Sequence, residues 1–165
     1  MKYYLALAAS ILLQTCSVVW AGAPYEATVS QIDKFAFALD KRLDEFTKTS
    51  DDHCDEDEVC TRTVAYWDRR GRIQKTVQEL RQPAGPGTVT GRYFSNCHVV
   101  LVRVTPNDTE AVKNPRTIEK FYFHKDKLLR VVFGDETQPF SKDQMAYYER
   151  AHRGDAKTCQ RTPEK

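Results

Sequence analysis

Cys97-His98-Val99-Val100-Leu101-Val102 is the stretch on which the fold turns. It lies inside a longer run, Val89 to Val104, and in Val99 to Val102 apolar residues follow one another instead of alternating with polar ones. An extended chain with that pattern needs cover on both faces, so the run reads as the core strand of a sheet. Downstream, Ile118 to Phe123 and Leu128 to Phe133 flank His124-Lys125-Asp126-Lys127 and read as a hairpin. Upstream, Thr61 to Trp67 and Arg72 to Leu80 flank Asp68-Arg69-Arg70-Gly71, a second hairpin with Gly71 supplying the positive φ. Gln82-Pro83-Ala84-Gly85-Pro86-Gly87 reads as a loop, Pro106-Asn107-Asp108 and Asn114-Pro115 bound a surface excursion, and Gly134 to Phe140 is a connector.

Outside the strands, Val29, Ile32, Ala36, Leu39, Leu43 and Phe46 recur at spacings of three and four. That predicts a helix over about 29–48, started by Ser30 with Asp33, whose apolar stripe rests on the sheet. Ser141 with Gln144 forms a capping box for a short helix through about His152, with Gly154 at its end and Cys159 in the polar tail. The expected fold is α+β: an N-terminal helix on a four- to five-stranded antiparallel meander sheet, a short C-terminal helix, both helices on one face, and two disulfides.

The hairpin in which Glu119-Lys120-Phe121-Tyr122-Phe123 turns into Leu128-Leu129-Arg130-Val131, echoed by Tyr66-Trp67 before Ile73, resembles one found in a loose group of small exported bacterial proteins of unknown function. The resemblance covers about a third of the chain. It implies a hairpin-rich fold and transfers no catalytic residue.

Residues 1–21 have the layout of a secretory signal peptide: Lys2, an apolar stretch from Tyr3 to Leu13, and small residues Ala21-Gly22-Ala23. The apolar stretch is interrupted too soon by Gln14 to span a bilayer. Cleavage after Ala21 leaves a single exported domain, 22–165, in the periplasm or outside the cell. A competing reading takes Leu13-Gln14-Thr15-Cys16 as a lipoprotein box with a lipid anchor on Cys16, against which the bulk of Gln14 and Thr15 argues.

Removing the signal leaves Cys54, Cys60, Cys97 and Cys159, which in an exported chain read as two disulfides with the connectivity open. The preferred pairing is Cys54 with Cys60 and Cys97 with Cys159. No C-x-x-C pair supports a zinc site.

A length of 165 residues with 41% apolar and 29% charged residues fits one domain with an ordinary core, and a net charge of +2 gives no nucleic-acid footprint. Asp51 to Cys60 is the most unusual segment, since Asp51, Asp52, Asp55, Glu56, Asp57 and Glu58 stand there without a base. As a calcium loop it fails the EF-hand test: with Asp51 as the first position, Glu56 and Arg62 replace the required Gly and Glu. Arg62, Arg69, Arg70, Arg72 and Lys75 follow closely and either neutralise the acids or form a basic surface for anions.

His53, His98, His124 and His152 are scattered and show no local partner pattern; Glu119 near His124 is a strand residue beside a turn. No G-x-S-x-G elbow occurs and every mature thiol is expected to be paired, so no catalytic residue, metal ligand or cofactor is assigned. The expectation is a non-enzymatic binding or inhibitor module that contacts an envelope or secreted protein through Asp55, Glu56, Asp57 and Glu58. The alternative is a binder of a small ligand or of the envelope surface that uses Trp67 and Tyr122 on one aromatic sheet face.

Overall fold

The computed structural model describes residues 23–83, 85–107, 118–152 and 159, with side chains from residue 28 onward. The expected signal peptide, Cys16, the excursion from Asp108 to Asn114-Pro115 and Gly154 all lie outside these residues. The chain runs α1 (Ala23–Asp40), a single 3-10 turn (Leu43–Glu45), β1 (Thr47–Cys54), β2 (Cys60–Trp67), β3 (Ile73–Gln82), β4 (Gly85–Ser95), β5 (His98–Pro106), β6 (Glu119–His124), β7 (Lys127–Phe133), β8 (Glu136–Thr137) and α2 (Lys142–His152). All strands are antiparallel and sit in one sheet in chain order, β1 to β8.

The fold is α+β, as expected, but its sheet has eight strands where four or five were foreseen. Two differences account for most of the excess. Val89 to Val104 is not one strand, because Asn96 and Cys97 adopt left-handed φ of 49° and 68° and fold the run into the β4–β5 hairpin. The helix expected through residue 48 ends at Asp40, and Thr47–Cys54, whose threonines favour extended backbone, pairs in unbroken register with β2. Leu43 and Phe46 therefore extend no helical stripe, and Ser30 lies within α1, not at its start.

The two turns read from sequence form as expected. Gly71 has φ 68°, and Lys125 and Asp126, with φ of 49° and 64°, make the two-residue turn between β6 and β7. Most of the proline- and glycine-rich segment is absorbed into β3 and β4 through a register shift between Leu80 and Gln82. Gly87 is required there, because a Cβ would collide with the Leu80 carbonyl.

The helices lie on opposite faces, a correction to the one-face expectation. Under α1, Val29, Ile32, Ala36 and Leu39 pack with Tyr93, Leu101 and Tyr122. On the other face, Phe94, Val99, Val102, Phe121, Phe123, Leu128 and Val131 form the second core, against which Met145 and Tyr148 of α2 pack. Alternation along β6 produces the split: Phe121 and Phe123 point one way and Tyr122 the other. The both-faces reading of Val99 to Val102 holds. The capping box also forms: Gln144 N–H donates to Ser141 Oγ at 3.2 Å, and Ser141 N–H donates to Gln144 Oε1 at 2.9 Å.

The disulfides are Cys54–Cys60 and Cys97–Cys159. The second pins buried Cys159 to the β4–β5 turn, where Ile73 N–H also donates to the Cys159 carbonyl at 3.0 Å.

Candidate functional site

The acidic segment is the tip of the β1–β2 hairpin, not a loop between helix and sheet. Cys54 and Cys60 are opposed at the last rung and joined covalently. Beyond them Asp55 organises the turn. Its Oδ1 accepts the Asp57 N–H at 3.0 Å and the Val59 N–H at 2.9 Å, while its own N–H donates to the Val59 carbonyl at 3.1 Å and its carbonyl accepts from Glu58 N–H at 3.2 Å. Glu58 sits at φ 59°, a left-handed turn conformation. Asp55 is therefore a scaffold residue, and its inward-turned Oδ1 is committed to its own loop. Glu56, Asp57 and Glu58 are exposed, as Asp55 itself is, but their carboxylates accept none of the hydrogen bonds that hold the turn.

The basic residues that follow are largely neutralised at short range. Arg62 Nε lies 3.6 Å from Asp52, and Arg72 pairs with Asp68 at 2.8 Å. Burial works against the Asp68 carboxylate, but N–H donors from Arg72 and Arg70 outweigh it and hold the carboxyl below its usual range. Arg69 and Arg70, with Arg42, Glu45, Phe46 and Asp68, line a shallow cleft of about 350 Å³.

Trp67 and Tyr122 are not brought together. Trp67 packs against the α2-side core and donates its indole N–H to Thr49 Oγ1 at 2.9 Å. Tyr122 is 2% exposed on the α1 side, and its hydroxyl donates to Asp33 at 3.0 Å. The aromatic pair that the small-ligand reading needs does not form.

A polar seam between α1 and the sheet went unread in the sequence. Asp40 accepts from Lys75 Nζ at 2.6 Å and from the Tyr93 hydroxyl at 2.9 Å, with Arg103 Nη1 3.6 Å away. Lys75 is the buried charged residue of the described chain, at 8% exposure. Burial first, then the neighbouring Asp40 and Asp33, pushes the phenols of Tyr93 and Tyr122 above their usual range, so both hydroxyls remain donors. A signal existed: Asp33 and Asp40 are seven residues apart, two helical turns, beside the same apolar stripe.

The histidines stay dispersed. His98 Nδ1 is 3.0 Å from Asp126 across two turns, and His124 is exposed. His152, the last residue of α2, packs its ring at a tilt against Phe121 with centroids 4.8 Å apart and parallel to Tyr148; burial, aided by the Arg92 charge, lowers its pKa to about 4. Glu119 is pushed up by burial. No helix among the described residues is long and apolar enough to cross a membrane. No protein-family model, curated protein or solved structure matches the chain.

Proposed function

We propose that the protein is an exported, non-enzymatic binding module of the inhibitor or immunity type, working through protein–protein contact in the periplasm or outside the cell. Its β1–β2 tip is offered to the basic cleft of an envelope or secreted protein. One observation carries this reading: Glu56, Asp57 and Glu58 project from a turn whose backbone is closed by Cys54–Cys60 and fixed by hydrogen bonds to Asp55. A tip that is already ordered loses little freedom on docking, and a clustered negative charge steers encounter with a cationic surface and selects against acidic ones. The disulfides suit an oxidising compartment, in keeping with the export signal read at residues 1–21.

The test is capture of partners from periplasmic and culture-supernatant extracts on the immobilised, oxidised protein, with bound proteins identified by mass spectrometry. A partner with a basic cleft should be retained by the native protein and lost by the combined variant Glu56→Gln, Asp57→Asn, Glu58→Gln, whose melting temperature is unchanged. Asp55 is left intact because its carboxylate holds the turn. Equal retention by both proteins overturns the reading.

A further inference from the structure

The two edges of the sheet are finished differently. β8 is two residues long, Glu136–Thr137, and Pro139 follows it, so that edge is blunted. β1 runs over eight residues, Thr47–Cys54, in register with β2 from end to end, without proline or bulge. No described strand pairs with its outer side, and its side chains are exposed apart from a partly covered Thr49. Such an edge presents a row of backbone donors and acceptors to another chain.

We propose that this edge pairs with itself: β1 lies antiparallel to β1 of a second copy about a two-fold axis at Ser50, merging two sheets into one. In that arrangement opposed residues share a face, so only registers centred on a residue are allowed. Centring on Asp51 or Asp52 sets that carboxylate against its own copy. Centring on Thr49 sets Lys48 against Ser50 and leaves both Asp52 side chains opposite Phe46. Centring on Ser50 opposes Lys48 to Asp52 twice, Thr49 to Asp51 and Thr47 to His53, with no like charges facing.

The rows of the sheet select the same register. Glu79, Arg62 and Asp52 stand opposite one another on β3, β2 and β1, alternating in sign. Lys48 of the second copy continues the alternation across the seam. In its own sheet Lys48 stands beside Tyr66 and has no ion-pair partner among the described residues, so the seam supplies the acid its own row lacks. The two acidic tips then point away from each other at opposite ends of the seam. This inference goes beyond the proposed function and does not rest on it.

Sedimentation velocity of the purified, oxidised protein over a concentration series tests the pairing. A short edge-to-edge seam buries little surface, so a dimer is expected at roughly 10–100 μM. Lys48→Asp and Asp52→Lys should each weaken it by about tenfold or more, because each sets two like-charged pairs across the axis. An equimolar mixture of the two variants should recover a heterodimer, in which one chain carries acids at both positions, the other carries lysines at both, and every facing pair is again of opposite charge. A native protein that stays monomeric to about 1 mM, or variants that associate as the native chain does, overturns the proposal. Circular dichroism confirms that the variants fold. Should they not, Ser50→Cys decides: opposed residues in such a pair lie about 4.5–5.5 Å apart at Cα, within disulfide reach, so oxidation should link the dimer at the axis, and its failure to do so overturns the register. Neutralising Glu56, Asp57 and Glu58 leaves the mass unchanged, which separates this pairing from recognition by the tip.

Discussion

Between α1 and α2 the sheet is closed on both sides: β4 to β7 bury Tyr93, Leu101, Val102, Phe121, Tyr122 and Val131 to 2% exposure or less. At the other end, β1 has no buried residue, and β2 buries only Val64. The same ladder of antiparallel pairs holds both regions, but its energy has different sources. In the centre it comes from apolar area removed from water on two faces. In the β1–β2 hairpin it comes from backbone pairing, a covalent clasp and exposed charge. A region that contributes little to the core can carry residues that stability does not require, and the acidic tip and the charges of β1, Lys48, Asp51 and Asp52, lie in such a region.

The largest expected effect separates the two disulfides. Replacing Cys97 and Cys159 with Ala releases a chain segment spanning 62 residues, and loop-closure entropy puts the loss at about 4 kcal/mol. Replacing Cys54 and Cys60 opens a span of 6 and should cost about 2 kcal/mol. Urea titration of both variants checks the order, and equal losses would mean that the hairpin matters to the core as much as the Cys159 staple does. A core truncation ranks next. Leu101→Ala empties a fully buried position beneath α1 and should cost about 3 kcal/mol, whereas Thr63→Ala on β2 should cost under about 0.5 kcal/mol.

Asp40→Ala comes third, at about 2 kcal/mol. It removes the acceptor of Lys75 and the Tyr93 hydroxyl in a half-covered seam, where the loss is smaller than for a fully buried pair. The seam also shows why parts of the molecule were legible in the sequence and others were not. Strands at the centre declared themselves because burial on both faces leaves consecutive apolar residues, as in Val99 to Val102. Turns with Gly71 or with Lys125-Asp126 were readable from composition and spacing. The Asn96-Cys97 turn was hidden because a cysteine in left-handed backbone mimics strand sequence. β1 was hidden because Thr47 to Cys54, exposed nearly throughout, carries no hydrophobic period; its pairing is set by its neighbour β2. Asp55 reads in the sequence as one of four acids offered to a partner, yet its Oδ1 accepts two backbone N–H groups that only the folded turn aims at it.

The smallest effect concerns pH and separates the regions again. His152 is packed against Phe121 and Tyr148 with Nδ1 buried and unpartnered among the described residues, and its pKa falls to about 4 from an ordinary 6.5. Between those values the unfolded chain binds the proton more tightly than the folded one, so stability rises with pH across the window and is complete above about 6.5. Acidification below about 4 removes the whole contribution, about 1 kcal/mol once partial solvent access is allowed for. Glu119, whose pKa is raised by burial, gives a slope of opposite sign. Asp68 and Glu79, with carboxyls held below their usual range, act at lower pH. The difference between the native chain and His152→Leu therefore isolates the histidine. The variant keeps the apolar packing, removes the unpartnered nitrogen, and should melt at least as high as the native protein at pH 7 and higher at pH 5. A difference that does not widen on acidification would show that His152 takes up its proton as readily in the fold as in water, and that α2 covers its face of the sheet less tightly than α1 covers the other.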